Sequence, residues 1–295
     1  MEPPDALRAF RRSFYECFHR RSDALFELSD AILTSDGAAP SPAHLSLQAS
    51  HRRGWGSLYA ALDRGRIDEE ALRKLLARHP LAGAVVGEPS VYAVDASVWD
   101  RCDAETSPER SYYYHPSRHS AGQPIVAGWA YQFIAQLNFV RESWTVPVDV
   151  RRLRPGQDAN EVAAEQVKAF LLLWIEEEHR VAPLFVFDAG YDPVKVQQGL
   201  EGSQCQILLR LRAGRRFYGD PSLSDPPEHI GRPRRHGPKM KCSDPSTWPE
   251  PSAEHHCEDA GYGSVRVRVC ACGRGLSYIP KSETTRGEAA ADPCP

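Results

Sequence analysis

Apolar residues return at three- and four-residue intervals through residues 5–34 (Leu7, Phe10, Phe14, Phe18, Leu25, Leu28), a spacing that predicts one or two amphipathic helices. The breaker-rich stretch "SDGAAPSPAH" interrupts the pattern, and residues 45–80 resume it as short helices punctuated by Gly54, Gly56 and Gly65. Arg52, Arg53, Arg64, Arg66, Arg73 and Lys74 recur between the apolar positions. Residues 1–88 therefore read as a helical region with basic edges, which suits a phosphate backbone or plain solvent.

From residue 91 the period shortens to that of strands. "VYAVDASVWDR", "QPIVAGWAYQFIAQLNF" and "SWTVPVDVRRL" predict three strands, the last two joined by the polar turn "VRE". "DANEVAAEQVKAFLLLWIEEEH" opens on an acidic cap and keeps an apolar helical face through Val162, Val167, Phe170, Leu171, Trp174 and Ile175. "PLFVFDAGYD" then reads as a strand buried on both faces, "PVKVQQGLEG" as a short helix and "QCQILLRLRAGRRFY" as a further strand. The order β-β-β-α-β-α-β, over residues 89–219, implies an α/β fold with a mixed sheet. Residues 220–279 are rich in Pro, Gly and basic residues and read as a loop-like, mobile insertion ending in a strand at "GSVRVRVCAC". Residues 280–295 have no periodicity and read as a disordered tail.

The 295 residues suffice for one large domain or two modest ones, and the apolar and charged fractions are those of a globular protein. No segment has the apolar length a bilayer demands, and the first residues lack a secretion signal, so the reading is cytoplasmic. The net charge of −3 conceals a basic segment at 205–241. Eight scattered cysteines in such a chain are expected to stay reduced. His255, His256, Cys257, Cys270 and Cys272 form a candidate zinc cluster, although C-x-C is tighter than the usual knuckle, and a plain structural role is the alternative.

The chemistry gathers on two acids. Asp188 ends the apolar run "LFVF" and precedes a glycine turn, at the carboxyl end of a strand where α/β proteins bind ligands. On its own it is equally a turn or helix cap. Asp95, in "YAVDAS", stands on the first strand, and the strand order makes the two strands neighbours although 93 residues separate the acids. Two converging carboxylates repel unless a divalent cation joins them, and an all-oxygen set suits Mg²⁺ or Mn²⁺. Asp192 reads as a helix cap; Asp100, Asp103 and Glu105 read as solvated acids.

"YAVDASVWDRCDAETSPERSYYYHPSRHSAGQPIVAGWAYQFIAQL", "PLFVFDAGYDP" and "LLRLRAGRRFY" together resemble the DDE-type transposases of bacterial insertion sequences, in particular a group common in actinobacteria, over about residues 8 to 269. The resemblance implies a helical N-terminal region, a ribonuclease H-like core with a β-rich insertion, and two metal ions (Mg²⁺ or Mn²⁺) held by Asp, Asp and a third acid. It makes Asp95 and Asp188 the first two catalytic, metal-binding acids, and transposon-end DNA the partner, bound by multimers on paired ends. The metals would activate water or a DNA 3′-hydroxyl for in-line attack on a phosphodiester. The third acid of the family is a Glu on a helix beyond the insertion. No such helix is legible here, because Glu254, Glu258, Asp259 and Glu283 lie outside any long amphipathic run. From residue 270 the resemblance stops, and the expectation is a truncated or frameshifted copy that lacks the third acid and is inactive.

Candidate DNA contacts are Tyr112, Tyr113, Tyr114, His115, Arg118 and His119, read as a turn that stacks bases and grips phosphates. Arg210, Arg212, Arg215, Arg216, Arg232, Arg234, Arg235, Lys239 and Lys241 are candidates for backbone contacts. Two rival functions stand beside this one. An aspartate-nucleophile phosphatase requires an acid two residues after the first, and Gly190 and Ser97 occupy those positions. A DNA-binding remnant without chemistry keeps the basic regions alone.

Overall fold

The computed structural model describes residues 3–38, 41–79, 88–115, 124–138, 145–174, 181–219, 237–259 and 261–270. Two compact units result, Met1–Leu209 and Arg210–Pro295.

The first unit opens with helices α1 (Pro3–Glu16) and α2 (Ser22–Leu33), divided by the short strand β1 (Phe18–Arg20). Arg11 donates to both oxygens of Asp30 at 2.7 and 2.8 Å, which ties α1 to α2 over a cluster of Phe14, Phe18 and Phe26. Helices α3 (Pro42–Leu45), α4 (Trp55–Arg64) and α5 (Glu69–Ala77) follow, with strand β2 (Arg66–Ile67) pairing back to β1. Asp68 starts α5 by accepting from the Ala71 amide at 2.9 Å.

Six strands build the sheet: β3 (Val91–Asp100), β4 (Ser111–Tyr114), β5 (Ile125–Leu137), β6 (Thr145–Leu153), β7 (Leu184–Phe187) and β8 (Gln206–Leu209). Their order is β4-β5-β3-β7-β8, with β6 also on β5. Strands β3, β5 and β6 form the expected antiparallel meander, while β7 joins β3 and β8 joins β7 in parallel through helices α6 (Ala159–Trp174) and α7 (Pro193–Gly199). At Gly128 three strands meet: it is registered with both Asp100 and Ser111, and a Cβ there would stand 2.1 Å from the Trp99 carbonyl oxygen. Only glycine allows that approach.

The helices cover one face of the sheet. Tyr92, Val94, Ile134, Phe185 and Phe187 point to it and pack on Val167, Phe170, Leu171 and Val196. Tyr92 stacks on Phe185, and Phe170 meets both rings edge-on. Helix α5 is held to the sheet by Arg73, which donates to the buried Asp149 carboxylate of β6 at 2.6 Å.

Three expectations need correction. The tyrosine triplet is not a turn but the edge strand β4, because its alternation lets Tyr113 pack inward. "QCQILLRLRAGRRFY" is two strands, β8 and β9 (Arg216–Tyr218), broken by the Ala213-Gly214 turn. Strand β7 is buried on one face only: Phe185 and Phe187 are enclosed, Leu184 and Val186 half-buried, since the helices lie on a single side.

The second unit pairs β9 with β10 (Lys239–Lys241), then has a 3₁₀ turn at Pro245–Thr247 and the hairpin of β11 (Ala253–Asp259) and β12 (Gly263–Val269). Trp248 locks the turn by donating its Nε1 to the Lys241 carbonyl at 2.9 Å. Part of the segment read as a mobile loop is thus regular, and the β11 strand escaped notice because His255 and His256 interrupt its apolar pattern. The predicted tail lies outside the described residues. Among the described residues no helix is long and apolar enough to cross a membrane.

Candidate active site

Asp95 is the fifth residue of β3, and Asp188 directly follows β7. The parallel register pairs Val94 with Phe187, so one step further along both strands the two acids stand side by side, at the spacing of neighbouring strands, roughly 4.8 Å. Since side chains alternate, and Val94 and Phe187 point into the core, both acids belong to the opposite, open face of the sheet.

Each carboxylate is oriented by its own backbone. Asp95 Oδ1 accepts from the Ala96 amide at 2.8 Å, and Asp188 Oδ1 from the Gly190 amide at 2.7 Å. A Cβ at position 190 would come 2.8 Å from Asp188 Oδ1, so a larger residue there would displace the carboxylate from its present orientation. With glycine at this position, the acid a phosphatase would use is lacking. The Asp95 carboxyl is raised above its usual pKa, first because the sheet strips water from it, and further by the charge of Asp188; the Ala96 amide opposes both.

Behind the pair lies a buried polar line that sequence reading missed. Tyr191 is enclosed against Phe187, and its hydroxyl accepts from Gln132 Nε2 at 2.5 Å. Burial pushes the phenol well up, and the charges of Asp95 and Asp188 add to it, so Tyr191 stays neutral. Gln166, also fully buried, donates to the Gln132 carbonyl at 3.4 Å. A glutamine inside an apolar strand was the available signal.

The loop carrying Asp188 is pinned to the start of α6. Asn160 Oδ1 accepts from the Asp192 amide at 2.7 Å, and Asp158 pairs with Lys195 of α7. The Lys195 ammonium and the Asn160 side-chain amide hold the Asp158 carboxyl at a pKa of about 2. Asp192 itself caps α7, accepting from the amides of Val194 and Lys195 at 2.9 and 3.3 Å, as expected of a cap.

Two hard oxygen donors converge here, a donor type that fits Mg²⁺ or Mn²⁺. Among the described residues no group of three or more His, Cys, Asp or Glu gathers anywhere, so no third acid joins the pair within them. The same holds for the zinc candidates: on β11 alternation puts His255 and Cys257 on one face and His256 on the other, Cys270 follows β12, and Cys272 is outside the described residues. All six described cysteines are free thiols.

The family model of the DDE superfamily endonucleases matches residues 13–269. The chain belongs to the DDE superfamily endonuclease family. No match is found among curated proteins. Among solved structures, a piggyBac transposase in a synaptic complex with hairpin DNA is similar at a TM-score of 0.34 and 11% identity, over 64% of this chain and 41% of that one. This chain therefore spans less than half the length of that transposase, and the likeness is too slight to carry an argument.

The remaining DNA-contact candidates of this DDE family member divide by placement. Tyr112 and Tyr114 are exposed on the open face, Tyr113 packs on the helix side against the cluster of Ala130, Leu153 and Val162, and His115 follows β4 half-buried. In the second unit Arg210, Arg212 and Lys239 are exposed, Arg215 half-buried, and Arg216 stands directly opposite Lys241 across β9 and β10. Like charges so placed repel, which a bound phosphate would relieve. Arg118, His119, Arg232, Arg234 and Arg235 lie outside the described residues.

Proposed function

We propose that this chain acts on DNA as a transposase-type endonuclease, cutting and rejoining phosphodiesters at element ends with the help of Mg²⁺ or Mn²⁺ on Asp95 and Asp188. The observation that carries the reading is the β3/β7 register, which makes the two acids neighbours on the open face of the sheet. Family membership supports it. A bound divalent cation would activate the attacking hydroxyl and neutralise the leaving oxygen. The residues of the chain contribute orientation. The Ala96 and Gly190 amides hold one oxygen of each acid, and the two carboxylates so oriented would hold the cation. The raised Asp95 pKa marks a pair that gains from a cation between its charges. The Asn160–Asp192 and Asp158–Lys195 contacts tie the Asp188 loop and α7 to the start of α6 and so keep the acid in place. Arg210, Arg212, Arg215, Arg216, Lys239 and Lys241 supply backbone contacts, so affinity falls steeply with salt. Assembly of several copies on paired ends belongs to the same reading.

The absence of a third acid near the pair among the described residues favours a second reading, a DNA-binding protein that cleaves nothing. Nicking of supercoiled plasmid in Mn²⁺, compared with EDTA, separates them. The enzyme reading expects Mn²⁺-dependent nicking that Asp95→Ala and Asp188→Ala each reduce by about 100-fold or more. Plasmid binding without nicking, indifferent to both substitutions, establishes the second reading instead.

A further inference from the structure

Strand β7 stops pairing with β3 at Val94, but β3 runs on from Asp95 to Asp100, paired with β5 as far as Gly128. At about 3.4 Å per residue, this extension reaches roughly 17 Å beyond the acids. Its two faces differ in kind. One packs Ala96, Val98 and Tyr113 on Ala130, Leu153 and Val162, and is closed.

The other continues the face of Asp95 at a period of two, through Ser97 to Trp99. Its cross-strand partners are Phe133, Tyr131 and Trp129, and the edge strand adds Tyr112 opposite Ala127. Trp99, near the end of β3, is 60% exposed, and Tyr112, on the edge strand β4, is 77% exposed, so two large rings stand open to solvent on one face. Trp99 and Tyr131 lie with centroids 6.2 Å apart at an interplanar angle of 58°. Trp129 is fixed by donating its Nε1 to the Pro108 carbonyl at 3.2 Å, and the Arg152 guanidinium sits 5.1 Å over its ring. That guanidinium is itself held by the carbonyls of Pro108 and Glu109, at 2.9 and 3.2 Å.

We propose that the open face of the β3–β5 extension, centred on Trp99, stacks unpaired nucleobases of the strand that reaches Asp95 and Asp188. The proposal rests on the DNA reading above and names the form of DNA: single-stranded or opened next to the cut. Three features point to bases. The row is aromatic and carries a fixed cation, the combination that binds bases without reading their identity. It begins two residues from the acid pair, so its occupant must also present a phosphodiester there. Bases inside a duplex have their faces covered by neighbours, so only unstacked ones meet an open ring.

The test is metal-free binding of a fluorescent dT₁₂ strand and a blunt duplex of equal length to the full chain in EDTA. Trp99→Ala and Trp99→Leu are each expected to weaken dT₁₂ binding by about 10-fold and the duplex by less than about 2-fold, within the range for losing one stacked base. Trp99→Phe keeps a π-face and restores most of the affinity. Leu retains apolar bulk, so a fold lost in the alanine variant leaves the question answerable. Equal losses on both probes, or none, overturn the proposal. So does a concentration-dependent self-association of the wild type that Trp99→Leu abolishes, since the face is then a contact between copies. No metal or cleavage enters the measurement, so failure of nicking and failure of stacking are read separately.

Discussion

The two faces of the central sheet are built from the same strands and do opposite work. On the helix face Tyr92, Val94, Ile134, Phe185 and Phe187 are buried under α6 and α7. On the open face, Asp95, Ser97 and Trp99 alternate with core residues of the same β3 strand and remain exposed. A shift of pairing by one residue would put Asp95 into the core and Val94 into water, so burial of one face fixes the acids on the other. The helix face holds the fold together and thereby positions a site that weakens it: the open face sets two carboxylates side by side at a local cost.

Three substitutions sharpen that contrast. Phe185→Ala, in the centre of the helix face and fully buried between Tyr92 and Phe170, is expected to cost about 3–5 kcal/mol in urea unfolding. A loss below about 1 kcal/mol would mean that this face is not the core.

Asp158→Asn has a smaller effect with a pH signature. The Asp158 carboxyl has a folded pKa of about 2, below its unfolded value of about 3.9, so its contribution is present above pH 4 and is lost as pH falls from there through 2. The difference in melting temperature between wild type and variant should therefore be constant near neutral pH and close over that window. A difference that persists at pH 2 would assign the effect to packing rather than charge.

The smallest effect carries the opposite sign. Asp95 has its folded pKa raised, so its charged form at neutral pH is a liability that vanishes below the unfolded pKa. In metal-free protein Asp95→Asn should melt about 2 °C higher at pH 7, a modest figure because the group is open to solvent, and equal to wild type at pH 3. Added Mn²⁺ should raise the wild-type melting temperature and leave the variant unmoved. An Asp95→Asn protein that melts lower at pH 7 would break the contrast between the faces.

Much of this was legible before any coordinates. Strands β3, β5, β6 and β7 and helices α6 and α7 follow from periodicity, because their apolar spacing agrees with the turn and cap residues at their ends. Strand β4 was not, since three tyrosines carry no polar–apolar alternation until one of them is packed. The end of β8 was hidden because leucine and arginine alternate on past it, as far as Arg212. Gln132, Gln166 and Tyr191 gave no local sign of acting together, for they come from three elements and meet only when the sheet and helices close.

The sequence by itself determined the two acids, that each belongs to a strand, and the glycine turn that follows Asp188. Those are local properties, governed by backbone preference and by side-chain period. Only the tertiary structure decided that the acids share a face, that Tyr113 turns away while Tyr112 does not, and that Trp99 continues the line of Asp95. Each of these depends on strand register, which is set by burial of the opposite face over residues far apart in the chain.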